Sequence, residues 1–136
     1  KKLLFPQAEI VTPNIFEANL LSNVQIQNEE DIENTAQNIL KLGPKAVLIK
    51  GGGLNYLKGK DFYIDKTGNR NWFLNDFVNT SNTHGSGCTL SAAITSNLAL
   101  GFNLKESIKR SKSFIQRSLE NSYKIGSGPG PLGHYQ

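Results

Sequence analysis

The sequence predicts an α/β fold in which helices pack on a mostly parallel sheet, with an antiparallel hairpin at one edge. Residues 46–49 form an unbroken apolar run, which is typical of a strand buried on both faces. Residues 28–42, directly before it, carry apolar side chains at helical spacing. Residues 61–65 and 71–74 flank a turn and predict the hairpin. Helix and strand patterns that follow one another in this way favour the α/β class.

Composition restricts the function classes. A length of 136 residues fits one domain with one modest core, and 19% charged with 38% hydrophobic residues is typical of a soluble globular protein. No apolar run approaches the length of a membrane span, so we expect no membrane partner. The net charge of +4 is scattered, without the basic stripe and exposed aromatics of nucleic-acid binders, so we expect no nucleic-acid partner.

The single cysteine and the missing methionine carry further information. One cysteine excludes an internal disulfide and suits a reducing compartment, so we expect a cytoplasmic protein. The chain contains no methionine and begins within an apolar segment, which processing and a fragment of a longer protein explain equally well.

The first elements place polar residues at the end of a strand. Residues 8–11 predict a short strand, which Pro13 ends because proline cannot continue inside a sheet. Residues 15–21 predict a short helix with Asn14 as its N-cap. Asn14 and Glu17 then lie just beyond the carboxyl end of a strand, where open α/β sheets bind ligands.

The next helix and strand place a lysine in a similar position. Asn28 caps the helix over residues 28–42, and Gly43 follows where it stops. The strand over residues 46–49 ends in Lys50, which three glycines follow. After the hairpin, residues 77–80 are interpreted as a further strand.

Residues 83–94 contain the most informative motif. Gly85 and Gly87 flank Ser86, and a helix is predicted to begin at Gly87 or Cys88 and to run to about residue 100. Unpaired N–H groups and the positive end of the helix dipole then form a seat for a phosphate. The alternative is a simple connector with a small buried cysteine, which is common in proteins.

The last part of the chain predicts a helix and a loop. Asn103 caps this helix, and Glu106 stands three residues on, as in a capping box. The tail over residues 126–134 matches G-x-G-x-x-G formally, from Gly128 to Gly133. No strand precedes this match and almost no chain follows it, so we reject a dinucleotide site and assign the tail no role.

Together, these polar groups predict phosphoryl transfer from a nucleotide. That chemistry needs a carboxylate for Mg²⁺, a cation for the phosphates and backbone donors where charge develops. Glu17, Lys50 and the glycine turn supply one of each, although singly Glu17 fits a solvated first-turn acid and Lys50 a surface lysine. A cysteine nucleophile assisted by His84 is an alternative chemistry. A metal site of Cys88 with the two histidines lacks a proper ligand cluster.

Four blocks of the sequence resemble one family. Residues 12–17, 48–52, 82–94 and the glycine-proline tail are similar to the hydroxymethylpyrimidine/phosphomethylpyrimidine kinases of thiamine biosynthesis, which belong to the ribokinase-like vitamin kinases. The resemblance implies a ribokinase-like three-layer α/β/α fold, of which residues 1–136 are the C-terminal part of a single kinase domain. The N-terminal half would be missing.

The resemblance also implies an activity. It is the ATP-dependent phosphorylation of 4-amino-5-hydroxymethyl-2-methylpyrimidine and then of its monophosphate. Asn14 and Lys50 would contact the ATP phosphates, and Glu17 would hold Mg²⁺, directly or through water. The full-length protein is expected to form a homodimer. Pyridoxal kinase activity of the same fold and a non-catalytic nucleotide-binding fragment stay open as alternatives.

By the same resemblance, the glycine motif is the anion hole of the kinase. Gly85, Ser86 and Gly87 would surround the transferred phosphate, and Cys88 would be the general base, a position that aspartate occupies in most ribokinase-like enzymes. A carboxylate there would repel an incoming phosphate monoester, whereas a thiol can be neutral. We therefore expect Cys88 to permit both phosphorylations.

Overall fold

The computed structural model describes residues 2–134, which divide into one unit that extends to Leu74 and a second that begins at Asn75. The first unit contains two helices, three strands and three short 3₁₀ turns; the second contains two helices. The helices are α1 (Ile15–Ser22), α2 (Glu29–Leu40), α3 (Ser86–Ala99) and α4 (Leu104–Glu120), and the strands are β1 (Ala46–Lys50), β2 (Lys60–Asp65) and β3 (Arg70–Leu74). Within the described part of the chain, no helix has the length and apolar character needed to cross a membrane.

The sheet of the first unit combines antiparallel strands with one parallel pairing. Its order is β1-β2-β3, and both strand pairs are antiparallel. At the other edge of β1, residues 8–14 run parallel to it through bridges from Val11 to Val47 and from Asn14 to Lys50. The predicted strand over residues 8–11 is therefore a bridged segment rather than a regular strand.

Within the described sheet of the first unit, parallel pairing is limited to that segment, so this part of the sheet is less parallel than expected. Two parallel strands need a crossover of about a dozen residues or more. Residues 51–59 between β1 and β2 are too few for this crossover, and the turn over residues 66–69 is shorter still. Both connections therefore produce antiparallel neighbours.

The core of the first unit forms where α2 packs on β1 and β2. Residues 46–49 of β1 are buried, as their unbroken apolar run predicts. The buried face of α2 presents Ile32, Ala36 and Ile39 to this core. Asn28 caps α2 as predicted, because its side chain accepts a hydrogen bond from the N–H of Asp31 at 2.9 Å.

Helix α1 is apolar on both its inner and outer faces. Ile15 and Ala18 are buried, whereas Phe16 and Leu20 are 71% and 62% exposed. These last two residues are four apart and therefore neighbours on one helix face. A hollow of about 390 Å³ lies beside this face, lined mainly by apolar side chains that include Phe5 and Leu20.

The second unit is a pair of packed helices, α3 and α4. Ile94 of α3 and Ile108 of α4 are buried. Asn103 caps α4 as predicted, with its side-chain oxygen 3.0 Å from the N–H of Glu106. Two serines join Ile108 on the buried side of α4, since Ser107 and Ser111 are fully buried and the hydroxyl of Ser111 donates to the Ser107 carbonyl at 2.7 Å.

The prediction of a strand over residues 77–80 is wrong. The structure assigns these residues no strand or bridge, and the N–H of Thr80 donates locally to the carbonyl of Val78 at 3.0 Å. Strand propensity needs a partner strand to act, and within the described second unit none is present.

The hairpin turn between β2 and β3 is organised by the carboxylate of Asp65. It accepts hydrogen bonds from the hydroxyl of Thr67 at 2.6 Å, the amide side chain of Asn69 at 2.9 Å and the hydroxyl of Tyr63 at 2.8 Å. Burial acts to raise the pKa of Asp65, but these hydrogen bonds outweigh it and hold that pKa well below its usual range. Burial and the hydrogen bond to Asp65 raise the pKa of Tyr63.

We expect Asp65→Asn to reduce the acid sensitivity of folding. A carboxyl whose pKa is lowered in the folded state adds stability above its unfolded pKa, and this stability is lost as pH falls toward the folded pKa. In the unsubstituted protein, the free energy of unfolding should fall between about pH 5 and pH 2, and Asp65→Asn should show a smaller fall. Urea unfolding at several pH values measures this. Asp76→Asn, at an exposed loop position, is the control, and equal acid sensitivity in the two variants would contradict the prediction.

Candidate active site

Asn14 and Glu17 form the N-terminal cap of α1. The side-chain oxygen of Asn14 accepts from the N–H of Glu17 at 2.8 Å, and Oε2 of Glu17 accepts from the N–H of Asn14 at 2.8 Å. This reciprocal pair is a capping box, so the predicted cap is confirmed. Glu17 is exposed, and the box uses only one of its two carboxylate oxygens. A carboxylate accepts at both oxygens, so Oε1 can face a cation.

Lys50 lies beside this cap at the carboxyl end of β1. Its N–H donates to the carbonyl of Pro13 at 2.9 Å, and a parallel bridge links it to Asn14. Proline has no N–H, so pairing with β1 gives way at this point to the turn into α1. The structure thus brings Asn14, Glu17 and Lys50 together at one edge of the sheet.

Asp61 belongs to this site and was missed by the sequence analysis. It faces Lys50 across the β1–β2 pair, where directly opposed side chains lie on the same face of a sheet. Its side chain is buried, and Oδ1 accepts from the N–H of Gly51 at 3.1 Å. An acidic residue at the head of an apolar strand was the available signal, because charged groups are rarely buried without a partner.

The backbone after Lys50 is closely packed. A Cβ atom added at Gly51 would lie 2.3 Å from the carbonyl oxygen of Lys60 and 2.9 Å from Cβ of Leu57. At Gly52 it would meet nothing within 4 Å. Gly51, directly after Lys50, is therefore tightly enclosed, whereas Gly52 has open space beside it.

The glycine motif of the second unit forms the start of α3. Gly85 is the N-cap, with φ of 83°, a left-handed conformation that glycine adopts readily. The helix begins at Ser86, one residue before the predicted start. The N–H of Ser86 donates to the Thr83 carbonyl at 3.2 Å, and helical bonding starts at Thr89, whose N–H donates to Gly85 at 2.9 Å.

Two backbone N–H groups lie between Ser86 and Thr89 in the sequence. Within the described residues, the N–H groups of Gly87 and Cys88 have no acceptor. Cys88 is an exposed free cysteine in the first turn of α3. An exposed thiol beside two unpaired amides at a helix N-terminus is suited to an anion.

The two histidines have other contacts. His134 is hydrogen-bonded through Nε2 to the hydroxyl of Thr89 at 3.2 Å and stacks on Phe114 with ring centroids 6.2 Å apart. In the part of the chain that the structure describes, no cluster of three or more His, Cys, Asp or Glu side chains is suited to a metal. No hydrogen bond joins His84 to Cys88 among these residues. The structure thus provides no support for the metal site or for a Cys–His pair.

Comparison with solved structures defines the class of protein. The pyridoxal kinase of Staphylococcus aureus in complex with AMP-PCP matches with a TM-score of 0.90 and 36% identity, over 96% of this chain and 48% of that protein. The fold is therefore that of the ribokinase-like α/β kinases, and the chain corresponds to part of one.

Comparison with protein sequences defines the family. The family model for phosphomethylpyrimidine kinase matches residues 1–133. The hydroxymethylpyrimidine/phosphomethylpyrimidine kinase of Synechococcus elongatus is 42% identical over 134 residues, which is 97% of this chain and 50% of that enzyme. A thiamine biosynthesis bifunctional protein of Geobacter sulfurreducens is 38% identical, over 98% of this chain and 27% of that protein. The chain belongs to the phosphomethylpyrimidine kinase family, and it spans half the length of the Synechococcus enzyme.

We expect Asp61→Ala to destabilise the protein through the backbone next to Lys50. The substitution leaves the buried N–H of Gly51 without its acceptor, which costs about 1–3 kcal/mol in the free energy of unfolding. Asp61→Asn retains Oδ1 and should lose less. Urea unfolding of the two variants measures the difference, and equal losses would show that the hydrogen bond to Gly51 is not the cause.

Proposed function

We propose that the complete protein transfers the γ-phosphoryl group of ATP to 4-amino-5-hydroxymethyl-2-methylpyrimidine and then to its monophosphate, in thiamine biosynthesis. The observation that carries this proposal is the meeting of Lys50 with the Asn14–Glu17 capping box, in a chain of the phosphomethylpyrimidine kinase family. The AMP-PCP complex of the staphylococcal pyridoxal kinase supports ATP as the donor.

The residues of the first unit bind and orient the nucleotide in this proposal. The ammonium group of Lys50 and the amide of Asn14 contact the ATP phosphates, where a positive charge is strongly favoured. The donor set fits Mg²⁺, since that ion is commonly held by one or two carboxylates together with substrate phosphates. Glu17 would hold it through Oε1, directly or through water. When bound, Mg²⁺ neutralises charge on the phosphates.

The residues of the second unit act on the transferred group. The amides of Gly87 and Cys88, within the anion hole formed with Gly85 and Ser86, stabilise the charge that develops on the phosphoryl oxygens. The substrate hydroxyl oxygen forms a bond to the γ-phosphorus as the β–γ bridging bond breaks and ADP leaves. The hydroxyl proton passes to the thiolate sulfur of Cys88, which acts as the general base.

The second phosphorylation needs a different property of Cys88. The attacking oxygen then belongs to a phosphate monoester, which is already anionic and requires no base. A neutral thiol does not repel this substrate, whereas a carboxylate at the same position would. Cysteine therefore serves both reactions.

The proposal has consequences for the rest of the protein. Residues 1–136 are the C-terminal part of a single kinase domain, as the partial coverage of the relatives supports. Most of the pocket for the small-molecule alcohol belongs to residues outside this chain. The single cysteine supports a cytoplasmic location, and the family resemblance supports homodimeric assembly.

Pyridoxal kinase activity is the second candidate. It is favoured by the TM-score of 0.90 to the staphylococcal pyridoxal kinase. A non-catalytic nucleotide-binding role is the third, and it is favoured for the isolated chain by its length of about half the matched kinases.

Substrate assays on the full-length protein separate these candidates. ADP release is measured with the hydroxymethylpyrimidine, its monophosphate and pyridoxal as acceptors. We expect turnover of the first two to exceed that of pyridoxal. Higher turnover of pyridoxal would select the second candidate. ATP binding without phosphorylation of any acceptor would select the third.

We expect Cys88→Asp to impair turnover of the monophosphate at least about tenfold more than turnover of the alcohol. The reason is like-charge repulsion, of which about 1.4 kcal/mol gives this factor. Steady-state kinetics with both acceptors measure the two losses. Thr95→Asp adds the same charge at an exposed position farther along α3 and should leave the ratio unchanged. Equal losses on both acceptors would contradict the assigned role of Cys88.

A further inference from the structure

We propose that residues 130–134, which we call the strap, hold the anion-hole turn in its active shape, and that Gly130 and Asn82 are positioning residues for phosphoryl transfer. No role for this segment is predicted from the sequence. The inference rests on the proposed function, because it assumes that the start of α3 receives the transferred phosphoryl group.

The strap is hydrogen-bonded to the segment directly before Gly85. The N–H of Gly130 donates to the side-chain oxygen of Asn82 at 3.1 Å, and the carbonyl of Gly130 accepts from the N–H of His84 at 3.2 Å. A parallel bridge between His84 and Pro131 extends this pairing. Both backbone groups of Gly130 are thus used to fix residues 82–84.

The strap also touches the other side of the turn. His134 is hydrogen-bonded to the hydroxyl of Thr89, which lies in the first turn of α3. The turn from Gly85 to Cys88 is therefore bracketed by two strap contacts, one before it and one after it.

Gly130 occupies a position that no side chain can share. An added Cβ would lie 2.2 Å from the carbonyl oxygen of Tyr123 and 2.6 Å from Oδ1 of Asn82. Neither distance is tolerated without a shift, and the nearer atom belongs to the backbone. The φ angle of Gly130 is not positive, so lack of space rather than backbone conformation requires glycine here.

A second glycine anchors the strap to the end of α4. The N–H of Gly133 donates to the carbonyl of Ser118 at 2.9 Å, and an added Cβ would lie 2.1 Å from the carbonyl oxygen of Asn121. The strap thus lies closely between the end of α4 and residues 82–84. In contrast, a Cβ at Gly128 would meet nothing within 4 Å.

This close fit matters because electrostatic catalysis depends on position. A displacement of about 1 Å in groups that stabilise a transition state costs on the order of a hundredfold in rate. A side chain at position 130 must move the strap away from the Tyr123 carbonyl and the Asn82 side chain, which disturbs its hydrogen bonds to residues 82–84. The amides of Gly87 and Cys88 follow these residues along the chain. Since these amides act on charge that develops during transfer, the loss should appear in kcat rather than in KM.

The test compares Gly130→Ala with Gly128→Ala in the full-length protein. We expect Gly130→Ala to lower kcat for the hydroxymethylpyrimidine at least about tenfold, with KM for this alcohol changed less than about twofold. Gly128→Ala, the same change in open space, should retain the kcat of the unsubstituted protein. Each kcat is normalised to the folded fraction from a thermal unfolding curve. Equal normalised kcat values for the two variants, or a loss confined to KM, would overturn the proposal.

Asn82→Ala provides a second variant that introduces no steric conflict. It removes the acceptor for the N–H of Gly130, and we expect kcat to fall in the same direction. If Gly130→Ala fails to fold, an unchanged kcat in a folded Asn82→Ala protein overturns the proposal.

Hydrogen exchange separates failure of the strap from failure of the proposed function. We expect peptides covering residues 82–90 to exchange faster in Gly130→Ala or Asn82→Ala than in Gly128→Ala. Unchanged exchange overturns the strap, whatever the activity. If exchange is faster in these two variants while the unsubstituted protein phosphorylates no acceptor, the strap is supported and the proposed function is overturned instead.

Discussion

The parallel pairing of residues 8–14 with β1 is the interaction on which the site of the first unit depends. Three hydrogen bonds carry it, from Val11 to Ala46 at 3.0 Å, from Leu48 to Val11 at 2.9 Å and from Lys50 to Pro13 at 2.9 Å. Each lies between backbone groups that burial beside the core would otherwise leave unsatisfied. The pairing fixes the register, and the register places Asn14 next to Lys50.

In the second unit, close packing rather than strand pairing holds the candidate site residues in position. Its glycine turn has no regular strand beside it among the described residues, so the turn is shaped by Gly85 and by neighbouring backbone. Because glycine has no Cβ atom, the backbone at position 130 can lie directly against the carbonyl oxygen of Tyr123, where a Cβ would be only 2.2 Å away. Such positions are costly to change, because the obstructing atoms belong to the main chain.

Local signals in the sequence predicted much of the secondary structure. The caps at Asn14, Asn28 and Asn103 act within three residues of themselves, so their residue types alone indicated where α1, α2 and α4 begin. Residues 46–49 indicated their own burial for a similar reason. The hairpin was readable from its turn and its apolar flanks.

Contacts between residues distant in the sequence could not be predicted from these local signals. Nothing around Asp61 indicates that it accepts from Gly51, because β2 must first pair with β1. Residues 77–80 have a strand-like composition but no partner strand in the described second unit. The role of Gly130 depends on Tyr123 and Asn82, which a short motif search does not include. The positions and roles of the site residues therefore need the fold as well as the motif.

The outer face of α1 has a practical consequence. Leu20 lines an apolar hollow, Phe16 is exposed on the same helix face, and Leu3 and Leu4 in the same unit are 90% and 72% exposed. Exposed apolar surface of this kind drives self-association in water, because association with another molecule removes that surface from solvent. A purified sample of these 136 residues alone therefore calls for dilute handling or a solubility tag, and light scattering should accompany any binding measurement made on it.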